Sequence, residues 1–190
     1  MQQQIENGWL VENDTIRCLP SPNFDARPAG ESINLLVIHH IALPPHRFGG
    51  EAIADFFCNR LDAGKHPFYQ QIKDLKVSAH ALIKRNGALV QFVNFNDRAW
   101  HAGQSSYQGR NACNDFSIGI ELEGDENTPY RYAQYQVLAA LTQSLQAAYP
   151  AIGQRITGHE NIAPGRKTDP GPMFDWQRYW QLLINQANLL

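Results

Sequence analysis

Three cysteines in 190 residues, Cys18, Cys58 and Cys113, are odd in number and far apart, and no CxxC pair is present. Neither a disulfide framework nor a cysteine-based zinc site is expected on that count, and the usage suits a reducing compartment. Long apolar runs are missing as well. The longest candidate, Leu35 to Leu43, is interrupted by two histidines and falls well short of the roughly 18–20 residues that span a bilayer. No membrane-spanning segment is expected. Net charge is also small: 16 Lys plus Arg against 18 Asp plus Glu leave -2, and the charges are scattered rather than gathered into blocks. Nucleic acid is therefore not an expected partner, because phosphate neutralisation needs a concentrated basic field. The opening ten residues, MQQQIENGWL, have neither the basic start nor the apolar stretch of a secretory signal. With Met1 as the start, a cytoplasmic protein is expected.

What is present supports a packed core. Hydrophobic residues make up 43% of the chain and aromatics 11%, which argues against global disorder. At roughly 150 residues per domain the length corresponds to about one domain. Residues 1–30, with Pro20, Pro22 and Pro28 among polar residues, are expected to run as an extended segment packed on a domain formed by 31–190. The continuous apolar run Leu35, Leu36, Val37 and Ile38 predicts a strand from Asn34 to Ile41 buried on both faces. Glu51 to Leu61 reads as a helix, and Lys76 to Ile83 with Ala88 to Phe95 read as a hairpin about a two-residue Asn86-Gly87 turn. Phe116 to Leu122 alternates as a strand, and Tyr132 to Tyr149 is the strongest helix. Gly158 to Pro172 carries too many Gly and Pro residues for regular structure, and a last helix is expected from about Asp175 to Leu190 with Asp175 as its cap. The order of elements predicts an α/β (mixed α+β) fold, a central mixed sheet flanked by helices.

Seven histidines leave histidine and carboxylate chemistry open. His39 and His40 end the buried strand, and alternation sends their rings to opposite faces, so at most one serves a given site. Both could equally be polar punctuation where a strand meets solvent. The loop TGHENIAPGRKTDPGP, Thr157 to Pro172, gathers His159, Glu160, Arg166, Lys167 and Asp169 on a proline-stiffened segment, which could be a ligand shell or a plain surface loop. Zinc hydrolases commonly use three protein ligands and leave a fourth position to water. His39, His159 and Asp169 meet that requirement, although their spacing matches no compact zinc motif. In SIGIELEG, Glu121 and Glu123 share one strand face. Glu121 between Ile120 and Leu122 is either a proton-transfer group facing a site or a solvent-facing residue, and Glu123 reads as the latter. The loop RAWHAGQSSYQGR, Arg98 to Arg110, mixes Trp100 and His101 with hydroxyls and small residues, as a sugar- or peptide-binding surface does, and as a core-anchored loop also does.

Taken in order, GWL at Gly8, LLVIHHIALPP at Leu35, FGG at Phe48, VSAHALI at Val77, RAWHAGQSSYQGR at Arg98, CNDFSIGIELEG at Cys113, AQYQ at Ala133 and TGHENIAPGRKTDPGPMFDW at Thr157 resemble the zinc-dependent N-acetylmuramoyl-L-alanine amidases. Within them the likeness is to the cytoplasmic AmpD-type enzymes that hydrolyse 1,6-anhydro-muropeptides. The family is related to the peptidoglycan recognition proteins. The resemblance implies Zn2+ on His39, His159 and Asp169, so it selects His39 over His40. It implies Glu121 acting on the water and Lys167 on the developing oxyanion. Trp100 and His101 are implied as sugar contacts, Lys76 or Arg110 as contacts to the stem peptide, and His40 as a further substrate neighbour. Lys76 and Ala112 stand where such relatives often carry arginine, and a lysine there offers a point charge without the bidentate fork. The implied partner is a small-molecule muropeptide met by a monomeric chain away from any membrane, with an indirect effect on β-lactamase induction. A non-catalytic peptidoglycan-binding module would show loss of a zinc ligand. An amidase acting on intact murein would need export.

Overall fold

The computed structural model describes residues 3–187. Six strands form its central sheet: β1 (Ile16–Cys18), β2 (Leu35–Ile41), β3 (Ala81–Ile83), β4 (Leu89–Gln91), β5 (Ser117–Glu123) and β6 (Ile156–Gly158). Their spatial order is β6-β2-β5-β3-β4-β1. β5 lies in the middle, parallel to β2 on one side and to β3 on the other, while β3 and β4 are antiparallel. The mixed sheet with flanking helices is the architecture expected from the order of elements. The run beginning at Leu35 is a strand because its apolar residues are covered on both faces, and Leu35, Leu36, Val37 and Ile38 are all completely buried.

The helices are α1 (Ala52–Phe57), α2 (Pro67–Ile72), α3 (Tyr132–Ala148), α4 (His159–Ile162) and α5 (Trp176–Ala187). α3 and α5 cover one sheet face, where Leu138, Leu141, Tyr179 and Leu183 pack with Leu36, Ile38, Ile118, Ile120 and Leu122. α1 and α2 cover part of the other face, bringing Ile53, Phe57 and Tyr69 against Leu82, Val90 and Phe92. The rest of that face is closed by Ala102, Phe116 and Ile162 over Leu35 and Val37. The segment before Gly30 supplies β1 and adds Leu10 and Ile16 to the core. Its Arg27 donates to the carbonyls of Phe95, Asn114, Asp115 and Ser117, tying this segment to the start of β5.

Several elements differ from the pattern reading. The helix expected over Glu51 to Leu61 stops at Phe57, because Asn59 adopts φ 57° and the chain turns there. α2 had no periodic signal, although His66 caps it and Pro67 takes its first position, both ordinary start signals. The hairpin is real but its loop has three residues. Lys84 N donates to Ala88 O, Gly87 N donates to Lys84 O, and Gly87 alone takes positive φ, at 88°. That is a turn followed by a left-handed glycine rather than a two-residue turn. Its strands are also shorter than expected, beginning at Ala81 and ending at Gln91. The loop expected from Gly158 includes one helical turn, α4, which starts at His159. Asp175 caps α5 through Oδ1, which accepts from Arg178 N at 2.9 Å. The last residues of the expected closing helix, 188–190, lie outside the described residues.

Candidate metal centre

Parallel strands deliver their C-terminal ends to one edge of the sheet, and loops beyond that edge are where open sheets build sites. His39 stands near the end of β2, directly opposite Glu121 of β5 in the parallel register. β6 lies on the other side of β2 and hands the chain straight to His159 at the start of α4. The chain then returns so that Glu160 N donates to the Asp169 carbonyl, which brings Asp169 beside His159.

Three donor atoms converge there. His39 Nδ1 is 2.9 Å from His159 Nδ1, and Asp169 Oδ2 is 3.0 Å from each. In a tetrahedral zinc site with bonds of about 2.0–2.1 Å, donors stand about 3.3 Å apart, so this spacing fits one small cation with little movement. The chemistry fits as well, since two imidazoles and one carboxylate are a hydrolytic zinc set with a position left over. The outer nitrogens have partners of their own. His159 Nε2 donates to the Ala102 carbonyl at 3.0 Å, which leaves the Nδ1 lone pair facing inward, and His39 Nε2 lies 2.9 Å from His101 Nδ1. Among the described residues this is the group of histidine and acidic side chains that could hold a metal.

The electrostatics suit ligation. Burial lowers the pKa of His39 to about 4, with Asp169 partly opposing, so its imidazole is neutral across the physiological range. Burial alone would raise the Asp169 carboxyl, but the imidazoles of His159 and His39 against it reverse this and hold it well below the usual carboxylate range. Glu121 behaves in the opposite way. Burial, and then the negative charge of Asp169, push its pKa well up, with Lys167 pulling against them. Its Oε2 is buried and has no hydrogen-bond partner, an uncommon state for a carboxylate and one that points to a reactive or ligand-facing role. Lys167 is itself exposed and lines the same cleft as Glu121.

That cleft encloses about 270 Å3 and is walled by Phe56, Phe68, Ile72 and Val77 beside the polar group. Trp100, His101 and His40 line it, whereas Lys76 and Arg110 do not. Arg110 instead pairs with Glu31 at 2.7 Å and lies over the Phe116 ring. His40, on the opposite strand face from His39, holds Nδ1 3.2 Å from both the Tyr130 hydroxyl and the Pro170 carbonyl. Glu123 is not solvent-facing. It is 3% exposed and accepts from Gly49 N and Arg85 N, because β5 is a central strand. A larger hollow of about 530 Å3 lies beyond Leu43, and none of the converging donors lines it.

The sequence profile of the N-acetylmuramoyl-L-alanine amidases matches residues 29–172, which include all three donors. The chain belongs to that family. The amidase is 57% identical over 178 residues to the 1,6-anhydro-N-acetylmuramyl-L-alanine amidase AmpD of Salmonella typhimurium strain SL1344, covering 94% of each chain. It is 55% identical to the Escherichia coli K12 protein of the same name, over 96% of this chain and 98% of that one. A crystal structure of a selenomethionine AmpD derivative superposes with a TM-score of 0.90 at 54% identity, covering 95% of this chain and 99% of the other. The Escherichia coli amidase AmiD, solved with anhydro-N-acetylmuramic acid-L-Ala-D-gamma-Glu-L-Lys, matches with a TM-score of 0.58 at 28% identity, over 94% of this chain and 64% of that chain.

The pattern reading passed over several residues that build the amidase's site. Ser117 and Gly119 share the Glu121 face of β5. The side chain of Asn114 holds the amides of His101 and Ala102. His80 accepts from Gly119 N at 3.0 Å. Strand alternation already placed Ser117 and Gly119 with Glu121, whereas Asn114 and His80 act through loop and cross-strand contacts that no spacing rule reports.

Proposed function

We propose that this chain is a zinc amidase that cleaves the bond between the lactyl carbonyl of 1,6-anhydro-N-acetylmuramic acid and the L-alanine nitrogen of a muropeptide. The observation that carries the reading is the convergence of His39, His159 and Asp169 within 3.0 Å of one another, beside a buried Glu121 oxygen without a partner. The names of the curated relatives and the ligand in the AmiD structure support the substrate class. Zinc bound to the three donors would supply Lewis acidity toward the lactyl carbonyl and a water of pKa roughly 7.

The protein's own groups do the rest. Glu121, with its proton affinity raised by burial, takes the proton of the attacking water and returns it to the alanine nitrogen as the carbon–nitrogen bond breaks. Lys167 sets its ammonium against the oxygen that gains charge. The apolar wall of Phe68, Ile72 and Val77 excludes bulk water and strengthens both effects. Trp100 and His40 border the bound muropeptide, and Lys76 and Arg110 would meet only the outer stem.

The working unit is one domain from residue 31 onward, completed by the segment before it, which supplies β1, acting as a monomer in the cytoplasm on recycled wall fragments, where removal of muropeptides would bear indirectly on β-lactamase induction. Among the described residues, no helix is long and apolar enough to cross a membrane.

The test measures bound zinc, and amide cleavage of an anhydro-muropeptide beside its reducing-end N-acetylmuramoyl counterpart. Wild type is expected to hold zinc and favour the anhydro sugar, and Glu121→Ala to hold zinc without cleaving. Undiminished hydrolysis in Glu121→Ala removes that residue from its role, and equal rates on the two sugars reject the anhydro preference. Zinc loss in His40→Ala but not His39→Ala would overturn the ligand set.

A further inference from the structure

His101 stands directly behind the donor cluster. Its Nδ1 lies 2.9 Å from His39 Nε2, and its Nε2 lies 3.1 Å from Ser117 Oγ. The His39 and His101 rings meet edge to face at a centroid distance of 4.9 Å. Since His39 Nδ1 faces His159 and Asp169, a metal-binding His39 keeps its lone pair on Nδ1 and its proton on Nε2. That proton has His101 Nδ1 as its acceptor. His101 must then carry its own proton on Nε2, and Ser117 Oγ, wholly buried, accepts it. Both nitrogens of His101 are spent in this chain, so neither is left to recognise a sugar.

The surroundings are shaped for the ring. A Cβ at residue 119 would stand 2.4 Å from His101 Cγ and Nδ1, closer than carbon and nitrogen approach, so glycine at this point of β5 makes the room. Asn114 Oδ1 accepts from His101 N at 3.2 Å and from Ala102 N at 2.8 Å, which fixes the backbone that carries the imidazole. The same loop presents the Ala102 carbonyl to His159 Nε2. One short segment, His101–Ala102, thus serves the outer nitrogens of both histidines.

We propose that His101 is a positioning residue: it accepts the Nε2 proton of His39, is itself held by Ser117, and so sets the tautomer and ring plane in which His39 binds the metal, instead of contacting substrate. The inference rests on the metal reading above. Partners of this kind raise ligand basicity, and their loss typically costs about 10–100-fold in metal affinity.

The experiment uses the full chain and zinc alone, with the dissociation constant measured by competition with a chelator. His101→Leu is expected to weaken zinc about 10–100-fold. His101→Asn, which offers an acceptor oxygen near the Nδ1 position, is expected to recover most of that loss, and Ser117→Ala to cost about fivefold, the worth of one neutral hydrogen bond. Nitrogen-15 spectra of the zinc form should show His39 Nε2–H protected from exchange in wild type and exposed in His101→Leu. Unfolding of the zinc-free variants separates misfolding from lost affinity, and if His101→Leu does not fold, His101→Asn and Ser117→Ala carry the test. Affinity of His101→Leu within about twofold of wild type would overturn the proposal, because losing the hydrogen-bond partner of a ligating imidazole costs more than that. So would equal losses in the leucine and asparagine variants, which would mean packing alone. Absence of zinc binding in wild type is a different result: it would fail the metal reading and take this inference with it.

Discussion

The two faces of β5 are buried to nearly the same degree and are built from opposite materials. On one face Ile118, Ile120 and Leu122 are completely covered by α3 and α5. On the other, Ser117 and Glu123 are no more than 3% exposed and Glu121 is 8% exposed. The apolar face needs only shape, because dispersion and water exclusion are satisfied by any well-packed neighbour. The polar face needs partners. Ser117 has His101 and Glu123 has two backbone amides, while Glu121 Oε2 has none. The group left unpaired on an otherwise satisfied face is the group assigned to the reaction, so supply of partners separates site from core where burial does not.

The difference can be broken most severely at Glu121. Glu121→Gln should lower hydrolysis by about 10^2 to 10^4-fold, the usual contribution of a positioned general base, while zinc content stays that of wild type. Across the strand, Leu122→Ala should do the reverse. It is expected to cost about 2–5 kcal/mol of stability, read from denaturant unfolding, with zinc affinity unchanged in the folded fraction.

Gly119→Ala combines the two kinds of effect at a smaller size, since its new methyl would meet the His101 ring. It should cost about 1–3 kcal/mol from overpacking, and unlike Leu122→Ala it should also weaken zinc. The smallest effect is a dependence on pH. Folding raises the Glu121 pKa well above the ordinary value, so its protonated form favours the native state, and that advantage is lost as pH rises through the raised value. Above it, wild type carries a buried unpaired charge that glutamine lacks. The zinc-free Glu121→Gln protein should therefore gain stability relative to wild type as pH rises, with the gap closing toward pH 4, as thermal unfolding across pH would show.

The division of β5 into two faces was legible from alternation alone, because a strand sends successive side chains to opposite sides whatever its surroundings. Which side carried chemistry was less legible. Glu123 looked like a solvent-facing residue because alternation does not say whether a strand is central or at an edge. His39 and His40 could not be ranked by periodicity; the family resemblance selected His39, and the structure puts that ring, not its neighbour, beside His159 and Asp169. The contacts of His101 with Ser117 and His39 were not legible, since these two residues come from strands that meet only after the sheet forms. The Asn86-Gly87 turn was located correctly but misjudged in length, as the same pair serves two- and three-residue loops. α2 was missed because six residues are too few to establish a helical period.

His39 precedes His159 by 120 residues and Asp169 by 130, and this separation orders events during synthesis. The first donor leaves the ribosome long before the other two, and most of the sheet, including β5, is made in between. The three donors coexist only once the chain has reached Asp169, so a metal that needs the full set would bind after the strands that position it have been made.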